Sequence, residues 1–322
     1  MERHKTLLII NPISGTSNKR GLDAVVRERL SPKGFDIEVA MTTCRGDATK
    51  LAANAVASGF DTVIAAGGDG TVNETARALR DTGVALGIIP CGSGNGLARH
   101  LDIPVDIGAS LLVIAENHIM NCDCGTVNDR PFFCTFGVGF DAAVSEKFAH
   151  EKRRGKLTYL RRTFEEYISY NPEEYVISAN GKVLSEKAFL VAVCNASQYG
   201  NNAYIAPDAS MTDGLLDVTI IHSGTPLTTA LVGFALLTGY INRNTLIHTF
   251  RTSHAFTERK NPGAAHLDGE PMLLDKSLSV QCHGESLLVY TPTLERPFKP
   301  IITPMRSMMR DLRYTIANIF QN

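Results

Sequence analysis

A chain of 322 residues exceeds the usual single-domain size and leaves room for two hydrophobic cores. With 44% hydrophobic and 20% charged residues it falls in the ordinary soluble class, and a formal net charge of −1 gives no whole-protein steering toward nucleic acid or anionic membrane. Seven cysteines at irregular positions do not read as a disulfide framework, and Cys122-Asp123-Cys124 has the wrong spacing for a zinc knuckle, so a reducing cytoplasm is expected.

The first apolar run, Leu7-Leu8-Ile9-Ile10, is too short for a signal-peptide core and leads directly into Asn11-Pro12-Ile13-Ser14-Gly15. Helical patterns over residues 20–30 and 48–59 follow. A second apolar run, residues 61–66, meets Gly67-Gly68-Asp69-Gly70-Thr71-Val72-Asn73-Glu74, with a helix expected over 72–79. A third, residues 85–90, meets Cys91-Gly92-Ser93-Gly94-Asn95-Gly96. Strands alternating with helices predict an α/β domain with a doubly wound parallel sheet, whose ligands sit beyond the carboxyl ends of the strands. Glycines without Cβ let backbone N–H groups approach a polyphosphate, and the helix after each loop adds partial positive charge, so the three loops together predict a nucleotide or phosphate site. Asp69 is the anomaly: a bare carboxylate repels phosphate and calls for a bound cation or a proton-transfer task. A Walker lysine motif is absent, which disfavours an ordinary P-loop NTPase.

After residue 119 the pattern becomes strand-rich, with strands expected at 120–127, 130–137, 175–179, 189–195, 216–222, 266–267, 278–282 and 287–291. A helix is expected over 156–169, and residues 223–242, the longest uncharged stretch, fit a buried amphipathic helix better than a membrane span. The expected divisions are a nucleotide domain over 1–119, a strand-rich domain over 120–292 and a tail over 293–322. Asp268 and Glu270 are two apart, so in an extended segment both carboxylates point to one face and can serve acid–base chemistry. His100, after the third loop, is more readily structural than a phosphate ligand, and the cationic clusters at 152–154 and 161–162 read as solvated helix charge.

Five motifs in series, Asn11-Pro12-x-Ser14-Gly15, Gly67 through Glu74, Gly92-Ser93-Gly94-Asn95, Asp213-Gly214-Leu215-Leu216-Asp217 and Asp268-Gly269-Glu270, resemble the diacylglycerol kinase and sphingosine kinase superfamily, particularly its soluble bacterial lipid kinases. The resemblance spans about residues 5–292. It implies an antiparallel β-sandwich-like C-terminal domain, with ATP and a lipid meeting in the interdomain cleft. It further implies an ATP- and Mg²⁺-dependent transfer to a primary hydroxyl of diacylglycerol or a sphingoid base. Carried over residue by residue, Glu270 is the proton acceptor, with Asp268 beside it and Asp69 reaching the same centre through metal or water. ATP would meet Asn11, Pro12, Ile13, Ser14, Gly15, Thr43, Gly68, Asp69, Gly70, Thr71, Val72, Asn73, Glu74 and Ser93, with Asn73 and Glu74 fixing either the loop or the nucleotide. A structural Mg²⁺ would sit on Asp213 with the carbonyls of Ser210 and Leu215, Asp217 helping through water. Ser93, Gly96 and Leu97 depart from the threonine and aspartate-phenylalanine of many bacterial relatives, which leaves the lipid open. The rivals are an NAD kinase, which shares the glycine-aspartate loop, and a non-catalytic lipid-binding regulator. The implied partner is a lipid at the membrane surface and not nucleic acid, with the protein cytoplasmic and peripheral contact at the inner face left open.

In the tail, Met305, Met308, Met309, Leu312, Ile316 and Ile319 form an apolar stripe at helical spacing, edged by Arg306, Arg310 and Arg313. Packing onto the nucleotide domain is the expectation, ahead of lying on an anionic bilayer.

Overall fold

The computed structural model describes residues 3–15, 19–149, 170–293 and 297–320. The helix expected over 156–169 and both cationic clusters lie outside them.

The first lobe is a parallel sheet of β1 (His4–Ile10), β2 (Phe35–Met41), β3 (Thr62–Gly67) and β4 (Ala85–Pro90) in the order β4-β3-β1-β2. Side chains alternate across a strand, so Leu7 and Ile9 enter one core with α2 (Asp47–Ala57) and α3 (Asp69–Leu79), while Leu8 and Ile10 enter the other with α1 (Leu22–Leu30) and α5 (Ile107–Ala115). Burial on both faces explains the continuous apolar runs. A five-residue helix α4 (Gly96–His100) follows the third loop. Helix α3 starts at Asp69, three residues earlier than the apolar pattern suggested, because Val72 N–H already bonds the Gly68 carbonyl.

The second lobe is antiparallel and β-sandwich-like. Its core gathers β7 (Thr135–Gly139), β8 (Glu173–Ala179), β9 (Lys182–Cys194), β10 (Leu216–His222) and β13 (Gly263–Leu267) around Phe136, Val138, Tyr175, Val193 and Val218. The expected strand at 130–137 is two strands, β6 (Arg130–Phe132) and β7, since Phe133 and Cys134 turn their N–H groups to Asp268. The runs at 278–282 and 287–291 fuse into one strand, β15 (Ser277–Tyr290), which pairs with β5 (Ile119–Val127) through a break between His283 and Leu287. Strands β11 (Ile247–Thr252), β12 (His254–Arg259) and β14 (Glu270–Leu274) gave too weak an alternation to be read in advance.

Strand β15 ties the lobes together. Val289 pairs with Leu86 of β4, and the Tyr290 hydroxyl lies 2.9 Å from Thr62 Oγ1 inside the first lobe. The result is one mixed sheet with a cleft where the loops after β1, β3 and β4 meet the β13–β14 hairpin. Helix α6 (Phe140–Ala149) flanks this hairpin. The stretch at 223–242 does form a helix, α7 (Pro226–Thr238), but it is not a buried one: Val232 and Ala235 face inward and Leu227, Leu231, Phe234 and Leu237 face solvent. The tail forms helix α8 (Ile302–Phe320), whose buried face is Pro304 and Ser307 while the methionines point outward, the reverse of the expected packing. The side chains of Ile316 and Ile319 lie outside the described residues.

Candidate active site

The three loops close on one another through their glycines. A Cβ on Gly15, whose φ is +66°, would lie 1.7 Å from the Cys91 carbonyl oxygen, and one on Gly92 would lie 2.6 Å from Gly68 Cα. No side chain fits at either point, so backbone meets backbone and the loops share one phosphate-sized edge. Asn11 donates through Nδ2 to Thr71 Oγ1 (3.0 Å) and its Oδ1 accepts the Ile13 N–H (3.2 Å), locking the first loop to α3. Lys19, which sequence reading passed over, donates to Ser14 Oγ at 2.8 Å, and burial lowers its pKa. Pro12, Ile13 and Ser93 are exposed at the loop tips and Gly70 in the first turn of α3, whereas the Val72 side chain belongs to the core.

Asp69 has a third role beside the two expected of it. Its oxygens accept the N–H groups of Asn95 (2.9 Å) and Gly96 (2.7 Å), satisfying the start of α4, whose own N-cap residue supplies no side-chain bond. The two donors hold the carboxylate in place and partly offset its charge. Glu74 fixes a loop: it accepts Gly46 N–H (2.8 Å) and Ala48 N–H (3.2 Å) at the start of α2. Thr43 is held through its hydroxyl and amide by Asp47 (2.6 and 2.9 Å). Together these bonds present Arg45.

Asp268 and Glu270 do not lie in one extended run. Asp268 (φ +51°) and Gly269 (φ +80°) form the two-residue loop between β13 and β14, with the left-handed pair that a type I′ hairpin requires. The carboxylates therefore part company. Asp268 accepts the N–H groups of Phe133 (2.9 Å), Cys134 (2.7 Å) and Thr135 (2.9 Å) and the Asn73 amide. Burial raises its pKa, and the backbone donors pull against that rise. Glu270 turns to the first lobe, 3.1 Å from Arg45 Nη2 and 3.5 Å from Arg77 Nη2, and its Oε1 is 3.8 Å from where a Cβ on Gly70 would stand.

One face of α3 thus ties the cleft together. Residues 69, 73 and 77 repeat every four, and they reach the third loop, Asp268 and Glu270 in turn. That spacing was the available signal for Arg77. The hairpin is braced from behind by His266, whose Nδ1 accepts Gly269 N–H (3.4 Å) and whose Nε2 meets Asp141 Oδ2 (3.0 Å), itself bonded by the Tyr199 hydroxyl (2.8 Å). His100 points at Ser197 rather than phosphate, its Nδ1 accepting the Ser197 N–H at 3.1 Å, and burial pushes its pKa down to about 4.

The expected metal ligands are arranged otherwise. Asp213 forms an ion pair with Arg251 and accepts Leu215 N–H (3.1 Å); Arg251 also reaches Asp217 at 3.2 Å, and Ser210 Oγ bonds within the loop to Thr212. Buried Asp123, missed by sequence reading, clamps the same loop by accepting Gly214 N–H (2.7 Å) and Glu285 N–H (3.0 Å). A guanidinium already occupies the one charged ligand, and no cluster of three His, Cys, Asp or Glu side chains suited to a metal occurs among the described residues. A Mg²⁺ bound here would have to displace Arg251 from Asp213. Asp213→Ala is expected to lower the melting temperature by about a degree or two, with or without Mg²⁺, because it removes one partly exposed ion pair and the acceptor of Leu215 N–H while Arg251 keeps Asp217. A wild-type melting temperature that drops on chelation would show a resident ion instead.

A parallel-sheet lobe with open loop amides, closed by a carboxylate hairpin from a β lobe, is the arrangement of a two-lobed nucleotide-dependent kinase. The comparisons agree: residues 5–127 match the diacylglycerol kinase catalytic domain and residues 134–290 match the YegS C-terminal NAD kinase beta sandwich-like domain. The chain belongs to the bacterial diacylglycerol kinase and YegS-like lipid kinase family. A Bacillus subtilis (strain 168) relative named diacylglycerol kinase is 31% identical over 269 residues, covering 82% of this chain and 88% of that one. A Pseudomonas aeruginosa (strain UCBPP-PA14) relative named "Probable lipid kinase YegS-like" is 30% identical, covering 84% and 89%. Among solved structures, a diacylglycerol kinase from Bacillus anthracis str. Sterne superposes with TM-score 0.72 at 21% identity over 91% of this chain and 98% of that one. An NAD kinase from Archaeoglobus fulgidus in complex with ATP gives TM-score 0.53 at 11% identity over 94% and 99%, a likeness of fold alone.

Proposed function

We propose that this chain transfers the γ-phosphoryl group of ATP to a primary hydroxyl of diacylglycerol or a sphingoid base. The observation that carries the reading is the delivery of Glu270 to Gly70 at the N-terminus of α3, where a terminal phosphate would be held. The backbone N–H groups of Gly15, residues 68–71, Ser93 and Gly94 cradle the triphosphate. Glu270 takes the proton of the lipid hydroxyl as its oxygen bonds to the γ-phosphorus, and the bond to the bridging oxygen breaks to release ADP. Arg45 and Arg77 orient Glu270 and offer positive charge to the transferring group. Asp268 positions the hairpin. Mg²⁺ would come with the nucleotide and neutralise its phosphates; each Asp69 oxygen accepts only one amide and keeps capacity for such an ion or its water.

A labelled-ATP assay over diacylglycerol, sphingoid bases, ceramide, phosphatidylglycerol and NAD, with the products identified, tests the reading. Phosphatidic acid or a sphingoid-base phosphate is expected. NADP as the sole product, or no labelled product at all, would reject it.

A further inference from the structure

The end of α7 meets the start of α8: Ile301 N–H bonds the Thr238 carbonyl (2.8 Å), and the Phe298 ring packs where a Cβ on Gly239 would stand and against Tyr204 (4.9 Å). Each carries an apolar stripe turned outward. On α7, Leu227, Leu231, Phe234 and Leu237 are each more than 50% exposed, as are Met305, Met308, Met309 and Leu312 on α8. The spacings, every three or four residues, are those of a single helix face. Isolated exposed leucines need no explanation, but two adjoining stripes of eight large apolar side chains mark an interaction surface.

The charge around the surface selects the partner. Helix α7 contains no charged residue, and Arg306 and Arg313 border the α8 stripe, with Arg243 just beyond α7 over the Tyr240 ring. The one acid of α8, Asp311, is turned inward to Arg99 (2.7 Å). An apolar face rimmed by these arginines complements itself poorly, because a two-fold pairing would bring arginine rim against the same rim. It does complement anionic headgroups over acyl chains. Among the described residues no helix is long and apolar enough to cross a membrane, so the contact is one of lying on the surface.

We infer that α7 and α8 together form a docking face for an anionic phospholipid bilayer. The inference rests on the lipid-kinase reading only for the purpose of docking. Arg99, which holds Asp311, also donates through Nε to the Gly94 carbonyl (3.0 Å), so the face stands one ion pair from the third phosphate loop.

The test is sedimentation of the full chain with phosphatidylcholine vesicles, with and without phosphatidylglycerol, in the absence of nucleotide. Binding is expected only with phosphatidylglycerol and is expected to weaken with added salt. L231Q/F234Q, M305Q/M309Q and R306Q/R313Q should each reduce it at least tenfold, while activity on detergent-dispersed lipid and melting temperature stay unchanged. Equal binding by all variants would overturn the inference, as would a light-scattering mass showing a dimer that the apolar substitutions dissociate. Vesicle binding lost on substitution in a chain that phosphorylates no lipid would keep the docking face and reject the kinase reading.

Discussion

Glu270→Gln lowers the turnover of lipid phosphorylation by about a hundredfold or more, the range seen on removing an acid–base group, and leaves ATP binding and melting temperature near those of the unaltered chain. The amide keeps the shape of the carboxylate and loses its basicity. Little stability is at risk, because Glu270 is held by ion pairs to Arg45 and Arg77 at the cleft mouth, and Arg45 is 75% exposed. Initial-rate kinetics, nucleotide titration and a thermal melt on the same preparation check the three parts. Turnover within a few-fold of wild type would remove Glu270 from the chemistry.

Asp268→Asn, two residues away, is expected to fail differently. Both oxygens of Asp268 accept from N–H donors, four in all. An asparagine must turn its NH₂ toward two of them, leaving those donors without an acceptor at about 1–3 kcal/mol each, so a loss of about 2–6 kcal/mol is expected. Relief of the buried charge offsets part of it. Activity falls because the hairpin carrying Glu270 loosens, and the melting temperature falls with it. Chemical denaturation and activity measured side by side check this; unchanged stability with lost activity would make Asp268 a direct participant in proton transfer.

The contrast between these neighbours shows where sequence reading stops. The three phosphate loops were legible because their cause is local: glycine where backbone meets backbone, at the end of strands apolar on both faces. The two-lobed plan was legible from the change of pattern near residue 119. What Asp69 and Asp268 do was not, because their backbone donors lie 26 and 27, and 133 to 135, residues away in the chain. A two-residue spacing of carboxylates reads as one strand face until the intervening glycine adopts a left-handed turn, and nothing in periodicity reports that. Arg45 and Arg77 escaped notice for the same reason, although the four-residue repeat along α3 marked Arg77 as a neighbour of Asn73. The outward methionines of α8 were read as core because periodicity finds a stripe and not the side it faces.

The most direct test of the central claim is a crystal structure of the chain with a non-hydrolysable ATP analogue, Mg²⁺ and diacylglycerol. The triphosphate is expected along the N–H groups of Gly15, residues 68–71, Ser93 and Gly94, its terminal phosphate beside Gly70, and the lipid hydroxyl between that phosphate and Glu270. A nucleotide bound away from these loops, or a lipid hydroxyl out of reach of Glu270, would contradict it.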